Sequence, residues 1–235
     1  RSNTARMSFQ LPLFSAVLLA STLLVLGSAY LGWRHREAPG SGAFVVFLLF
    51  VAVWSGTYGL QLLSRSRSWQ LFWDNVQYLG GLLTPVTFLF FVLYYVGQAH
   101  RLDRVRIGLV AALPVLTSVV VWVPPLEWLV RTDATLVTVD SYAVADITHG
   151  PLFDVSVVYS YVVVLAGLGL LVLTTLQTRE LYRKQTALIT VAAVVPFGGS
   201  VVTYVLDLTV VDYTPVGLAV FGFVFAVALT RYQLL

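Results

Sequence analysis

Apolar residues in this chain neither alternate with polar ones, as a half-buried strand would require, nor recur in the narrow stripe of a surface helix. They run in blocks of about twenty residues, the length a helix needs to cross a hydrocarbon layer of about 30 Å. Seven such blocks predict seven membrane spans, at about residues 9–33, 43–63, 74–97, 107–123, 151–176, 185–206 and 213–232. Between them lie short polar segments, among them Arg34 to Gly42, Ser64 to Ser68, His100 to Arg106 and Arg179 to Lys184, which combine charge with turn residues. One connection is long. Residues 126–150 hold Glu127, Asp133, Asp140 and Asp146 and a β-branched run at Thr135 to Val139, a pattern that suits a small hairpin capping the bundle. Residues 1–6 read as an expression linker ahead of Met7, leaving residues 7–235 as a single seven-transmembrane domain.

Composition agrees with this division. Hydrophobic residues make up 58% of the chain and charged residues 11%, which excludes a soluble core-and-shell fold. The fold class expected is an all-α membrane protein, a seven-transmembrane helix bundle in a plasma membrane. With the chain start outside, the inner segments hold nine basic residues and three acids. The outer ones, setting the linker aside, hold three basic residues and eight acids. Basic residues favour the cytoplasmic side, so the N-terminus is expected outside and the C-terminus in the cytoplasm.

The charge pattern also narrows the chemistry. No cysteine is present, so disulfides, thiolate metal sites and cysteine nucleophiles are excluded. His35, His100 and His149 lie far apart in different loops, without the spacing of a helical metal site. The only lysine, Lys184, sits in an inner loop, so a retinal Schiff base buried mid-span is excluded. Glycine-rich phosphate loops, nucleophile elbows and zincin motifs are missing as well. No catalytic residues, no cofactor and no metal are expected, and the basic residues are orientation signals and not a nucleic-acid surface.

Polar residues within the spans gather towards the outer half. Span three carries Asp74, Asn75, Gln77 and Tyr78. Asp74, Gln77, Tyr78 and Gly81 share one helical face. Asp154, Tyr159 and Tyr161 follow in span five, Thr203, Tyr204 and Asp207 in span six, and Asp212 and Tyr213 before span seven, with Arg65 and Arg67 at the mouth. Together they outline an outward pocket whose acids Arg65, Arg67 or a basic ligand would hold. Each residue also has a plainer role. Asp74, Asp154 and Asp212 stand where helix N-caps belong, and the aromatic residues suit an interfacial belt. Gln77 and Tyr78, one turn deeper, fit a ligand contact as well as a packing role. In span six, Pro196, Gly198 and Gly199 mark a kink, either a hinge opening towards the pocket or a bend that improves packing.

The order of these elements resembles the N-terminal seven-transmembrane sensor domain of prokaryotic histidine kinases. The resemblance is carried by Phe72-Trp73, Gln77-Tyr78-Leu79-Gly80, Pro85, Phe91, Tyr95 and Gly97. It continues through Leu113-Pro114, His149 to Phe153, Tyr159-Ser160-Tyr161, Leu181-Tyr182-Arg183 and Gln185. Pro196, Tyr204, Asp212 to Pro215 and Arg231 to Leu235 complete it. It departs at Gly199-Ser200, where the family commonly has an asparagine after the proline. The resemblance implies a receptor module, not itself an enzyme, that passes a signal through Arg231 and Tyr232 to a cytoplasmic kinase. The partners expected are membrane lipid, a small-molecule or lipid-like ligand, and a second copy joined through the attached kinase. A small-solute transporter and a purely structural bundle are the rival readings.

Overall fold

A computed structural model describes residues 2–37, 40–139, 142–177, 190–201 and 212–232. The described chain is mostly helical: α1 (Ser2–Arg34), α2 (Ser41–Leu63), α3 (Arg67–Tyr95), α4 (Arg104–Val120), α5 (Pro151–Gln177), α6 (Thr190–Val201) and α7 (Thr214–Tyr232). Four of these, α1 from Leu13, α2, α3 and α5, are long and apolar enough to cross a membrane. Helix α6 and the stretch Thr214–Val227 of α7 are apolar but shorter. Span six, expected over 185–206, therefore lies partly outside the described residues, and the segment Arg179 to Lys184 lies wholly outside them.

Helix ends follow local chemistry. Ser66 caps α3, its side chain accepting from the Trp69 amide at 3.4 Å, so the helix begins at Arg67, seven residues before the apolar block. At the other end Gly97 adopts φ +73°. The Gln98 amide reaches back to the Leu93 carbonyl at 2.8 Å and that of Gly97 to Tyr94 at 3.1 Å, the paired bonds that close a helix at a left-handed residue. Asp103 caps α4 through the Arg106 amide at 2.8 Å. Two strands form the expected hairpin, β1 (Arg131–Val139) and β2 (Tyr142–His149), antiparallel from Arg131 opposite His149 to Val139 opposite Tyr142. A 3₁₀ turn, Pro124–Leu129, leads into it.

Helix α2 packs most extensively, against α1 and α3. The approach to α3 is close because Gly80 lies against backbone. A Cβ there would stand 2.5 Å from the Trp54 amide nitrogen and 2.9 Å from the Phe50 carbonyl oxygen. Small residues let membrane helices approach in this way. Polar side chains join helices elsewhere, Thr22 to Ser55 between α1 and α2 and Thr117 to Ser156 between α4 and α5. The core is a cluster of phenylalanines. Phe44 and Phe47 of α2, Phe88 and Phe91 of α3 and Phe221 and Phe225 of α7 meet with ring centroids 4.6–6.5 Å apart. At the hairpin end of α3 a second aromatic group faces outwards. Trp69, Phe72 and Trp73 contact one another, and Phe72 meets Trp122 just beyond α4 at 5.7 Å.

Candidate ligand-binding site

Asp74 lies two turns inside α3 and caps nothing. Its partner is Arg131, the first residue of β1, whose Nη1 donates to Asp74 Oδ2 at 2.9 Å. Both side chains are buried, 4% and 9% exposed. The same guanidinium donates to Asn75 Oδ1 at 3.1 Å and, through Nε at 3.0 Å and through Nη2, to Glu127. Gln61 of α2 adds a hydrogen bond to Asp74. Arginine suits such a place because its planar fork satisfies several acceptors at once. Val130, the residue before Arg131, is wholly buried, and the Gly150 amide donates to its carbonyl at 2.8 Å. Gly150 sits hard against Trp128 and Leu129, where a Cβ would come within 2.4–2.5 Å of their carbonyl oxygens. The hairpin base is thus pressed onto the start of α5, and Arg131 is aimed into the bundle.

This corrects two expectations. Asp74 is not an N-cap, because Ser66 starts the helix earlier. Neither Arg65 nor Arg67 holds an acid among the described residues. Arg67 Nε instead donates to the Ala134 carbonyl of β1 at 3.1 Å, fastening the hairpin to α3. Asp212 stands one residue before the cap position of α7, whose first carbonyl acceptor is Tyr213, and accepts from the Thr214 amide at 2.9 Å. Asp154 falls in the first turn of α5, where a negative charge meets the helix dipole favourably.

Below the ion pair lies a cavity of about 120 Å³ between α2, α3, α5, α6 and α7. Trp54, Leu82, Pro85, Phe153, Val164 and Phe197 supply apolar walls, and Asp74, Gln77, Tyr78, Ser160, Tyr161 and Ser200 the polar ones. Tyr161 and Ser200 bond to each other at 3.0 Å. Three of the buried oxygens without a hydrogen-bond partner among the described residues lie on its wall: Gln77 Oε1, Tyr78 OH and Ser160 Oγ. A buried polar atom left unpaired costs about 1–3 kcal/mol, so an occupant that bonds to these three would be stabilised there. At the hairpin edge His149 lays its ring on Phe153, centroids 3.8 Å apart. Desolvation there holds its pKa below the ordinary 6.5, Asp154 opposing and Arg131 reinforcing the shift.

Of the residues singled out by sequence, Asp74, Gln77 and Tyr78 meet on the cavity. Asn75 stands beside it on Arg131. Tyr159 points elsewhere, its hydroxyl donating to the Val110 carbonyl of α4 at 2.6 Å. Thr203, Tyr204 and Asp207 lie outside the described residues. Pro196 is helical within α6, and its partner is Gly217 of α7, where an added Cβ would stand 3.1 Å from Pro196 Cα. Gly198 and Gly199 have open space where a side chain would be. Arg231 and Tyr232 end α7. The residues that sequence reasoning passed over are Arg131, Glu127, Trp54, Phe153 and Ser160. Only Arg131 left a signal, as the one basic residue in a connection with four acids. Among the described residues no group of three or more His, Asp or Glu is placed to hold a metal ion.

A model of the protein family described as the N-terminal 7TM region of histidine kinase matches residues 17–235. The chain belongs to this family. It is a membrane protein, and the matched region is the transmembrane part of such kinases, distinct from the part that carries out catalysis. Comparisons with curated proteins and with solved structures returned no match. Helix α3, within the matched region, supplies Asp74, Gln77 and Tyr78.

Proposed function

We propose that this 7TM region is the receiving module of a histidine kinase, spanning the plasma membrane seven times with its N-terminus outside and its C-terminus in the cytoplasm. A ligand entering from outside or from the bilayer occupies the cavity beneath Arg131 and biases two packings of α3, α6 and α7. The displacement of α7 passes through Arg231 and Tyr232 to a cytoplasmic output domain, where kinases act in pairs. A ligand can shift such a balance only if it binds one packing better than the other.

The observation that carries this reading is the cavity with three unpartnered oxygens, walled by α6 and reaching Thr214 at the start of α7. Two contacts connect it to α7. Phe197, on the cavity wall, meets Phe88 at 5.3 Å, which meets Phe221 at 6.3 Å. Pro196, its neighbour, rests on Gly217. A ligand that moves Phe197 therefore presses on α7 directly and through the phenylalanine cluster. Packed cores respond to such pressure by switching between discrete arrangements. The test is autophosphorylation of the full-length kinase reconstituted in lipid. Pro196→Ala and Asp74→Asn are expected to change its rate or its response. A rate indifferent to both sinks the proposal.

A further inference from the structure

The cavity faces a carboxylate, and a carboxylate on a ligand cavity ordinarily selects a cation. Here that place is already taken by a cation of the protein itself. Arg131 is covalently part of the hairpin, contacts Asp74 at 2.9 Å, and is shielded from water with it. Its Nε and Nη2 donate to Glu127 and Asn75. Among the described residues that line the cavity Asp74 is the one carboxylate and it is paired, so a charged ligand would lose its hydration without gaining a free counter-ion.

What the wall does offer is hydrogen bonding. Gln77 Oε1 only accepts, whereas the hydroxyls of Tyr78 and Ser160 donate or accept. An occupant that satisfies all three must bring at least one O–H or N–H donor, for Gln77, and a hydroxyl, which both donates and accepts, meets Gln77, Tyr78 and Ser160 together. The remaining walls, Trp54, Phe153 and Phe197 among them, are apolar. Size sets a further limit. An apolar cavity of about 150 Å³ accepts benzene, so about 120 Å³ accommodates about five or six non-hydrogen atoms.

We infer that the cavity beneath Arg131 binds a small uncharged amphiphile of the alcohol class, and that the Asp74–Arg131 pair is the element that excludes cations. This deepens the receptor reading and rests on it. The hairpin acts as a tethered counter-ion. Removing Arg131 would turn the same cavity into a cation site, because Asp74 would then need a partner from the ligand.

Three probes of similar size separate the alternatives: cyclopentanol, methylcyclopentane and cyclopentylammonium. Binding is read by saturation-transfer NMR on the full chain in nanodiscs, with empty nanodiscs correcting for lipid partitioning. Cyclopentanol is expected to bind, and Gln77→Leu, Tyr78→Phe and Ser160→Ala each to weaken it about three- to tenfold, the equivalent of one hydrogen bond. Methylcyclopentane binds more weakly by a similar factor, and cyclopentylammonium gives no signal. In Arg131→Gln, cyclopentylammonium gains binding. In Asp74→Asn/Arg131→Gln that gain disappears while cyclopentanol binding remains. Should Arg131→Gln not fold, retention of cyclopentanol without cyclopentylammonium in the double variant carries the test.

The inference is overturned if the ammonium binds the native chain as well as the alcohol does, or if Arg131→Gln folds without admitting it. It is also overturned if cyclopentanol binding survives all three wall substitutions unchanged, or if no alcohol binds and the cavity holds water alone. A kinase that still responds to Tyr78→Phe while cyclopentanol fails to bind overturns the ligand class only. A kinase indifferent to Pro196→Ala and Asp74→Asn overturns the receptor reading, whatever the cavity binds.

Discussion

Arg131 and Asp74, 57 residues apart in the chain, meet at 2.9 Å inside the bundle, so that a surface hairpin and the third helix share one buried charge pair. Nothing in either residue's neighbourhood in sequence announces the other. The pair joins the only β structure among the described residues to the helix that forms one wall of the cavity.

Breaking this pair from one side leaves a buried charge uncompensated. Arg131→Ala is expected to lose about 3–5 kcal/mol of stability, and Asp74→Asn/Arg131→Gln to recover most of it. Glu127, more exposed than Asp74, contributes less, so Glu127→Gln costs about 1 kcal/mol or below. Reversible unfolding in mixed detergent, arranged as a double-mutant cycle, measures the coupling; additive single effects would show that the ion pair holds nothing.

Gly80 allows no side chain. Gly80→Ala places a methyl group against the Trp54 backbone, and separating α2 from α3 is expected to cost about 1–3 kcal/mol or more. Gly27, with open space beside it, is the control, and Gly27→Ala is expected to be neutral or stabilising in the same unfolding assay.

Tyr78→Phe removes a buried hydroxyl that has no partner among the described residues while keeping the ring that meets Phe153 edge-on at 5.8 Å. Ligand-free protein carrying this change is expected to be more stable by about 1 kcal/mol, because a desolvated, unpaired group disappears. A loss of similar size would mean that the hydroxyl already has a permanent partner.

His149 carries the pH prediction. Its pKa in the folded protein lies below the ordinary 6.5, so between these two values the unfolded chain binds more protons than the folded one. Stability conferred by the neutral ring is therefore complete above 6.5 and is lost as the pH falls below it. Melting temperatures recorded from about pH 8 to about pH 5 should fall more steeply for the native chain than for His149→Gln. A ring titration by NMR with a midpoint above 6.5 would contradict this.

Hydropathy made four apolar spans legible, α1, α2, α3 and α5, and missed how far the helices extend. In α3 the segment Arg67 to Trp73 reads as a polar loop and an aromatic edge, yet Ser66 caps it and the helix runs straight through, placing Asp74 inside. Hydropathy marks where lipid begins, whereas a cap marks where a helix begins, and here the two differ by seven residues. The hairpin was legible from its β-branched run. The face of Gln77 and Tyr78 was visible from helical spacing alone. Ser160, Phe153 and Trp54 were not, because each reaches the cavity through the packing of one helix on another, and spacing within a helix says nothing about which face its neighbour covers. Arg131 stood out by its charge, but its partner stayed hidden for the same reason, being set by how the loop folds back.

The outward aromatic group of Trp69, Phe72, Trp73 and Trp122 has a mechanical consequence. Aromatic side chains of this kind settle at the boundary between headgroups and hydrocarbon, which pins that end of α3 to one level of the bilayer. The helix has 29 residues and is therefore about 43 Å long, well beyond a hydrocarbon layer of about 30 Å. With one end anchored, a thinner or thicker bilayer favours tilting α3 or sliding its Gly97 end, and either motion carries Gln77 and Tyr78 with it. Under the proposed receptor function, lipid chain length would then act on the same wall that a dissolved molecule would touch.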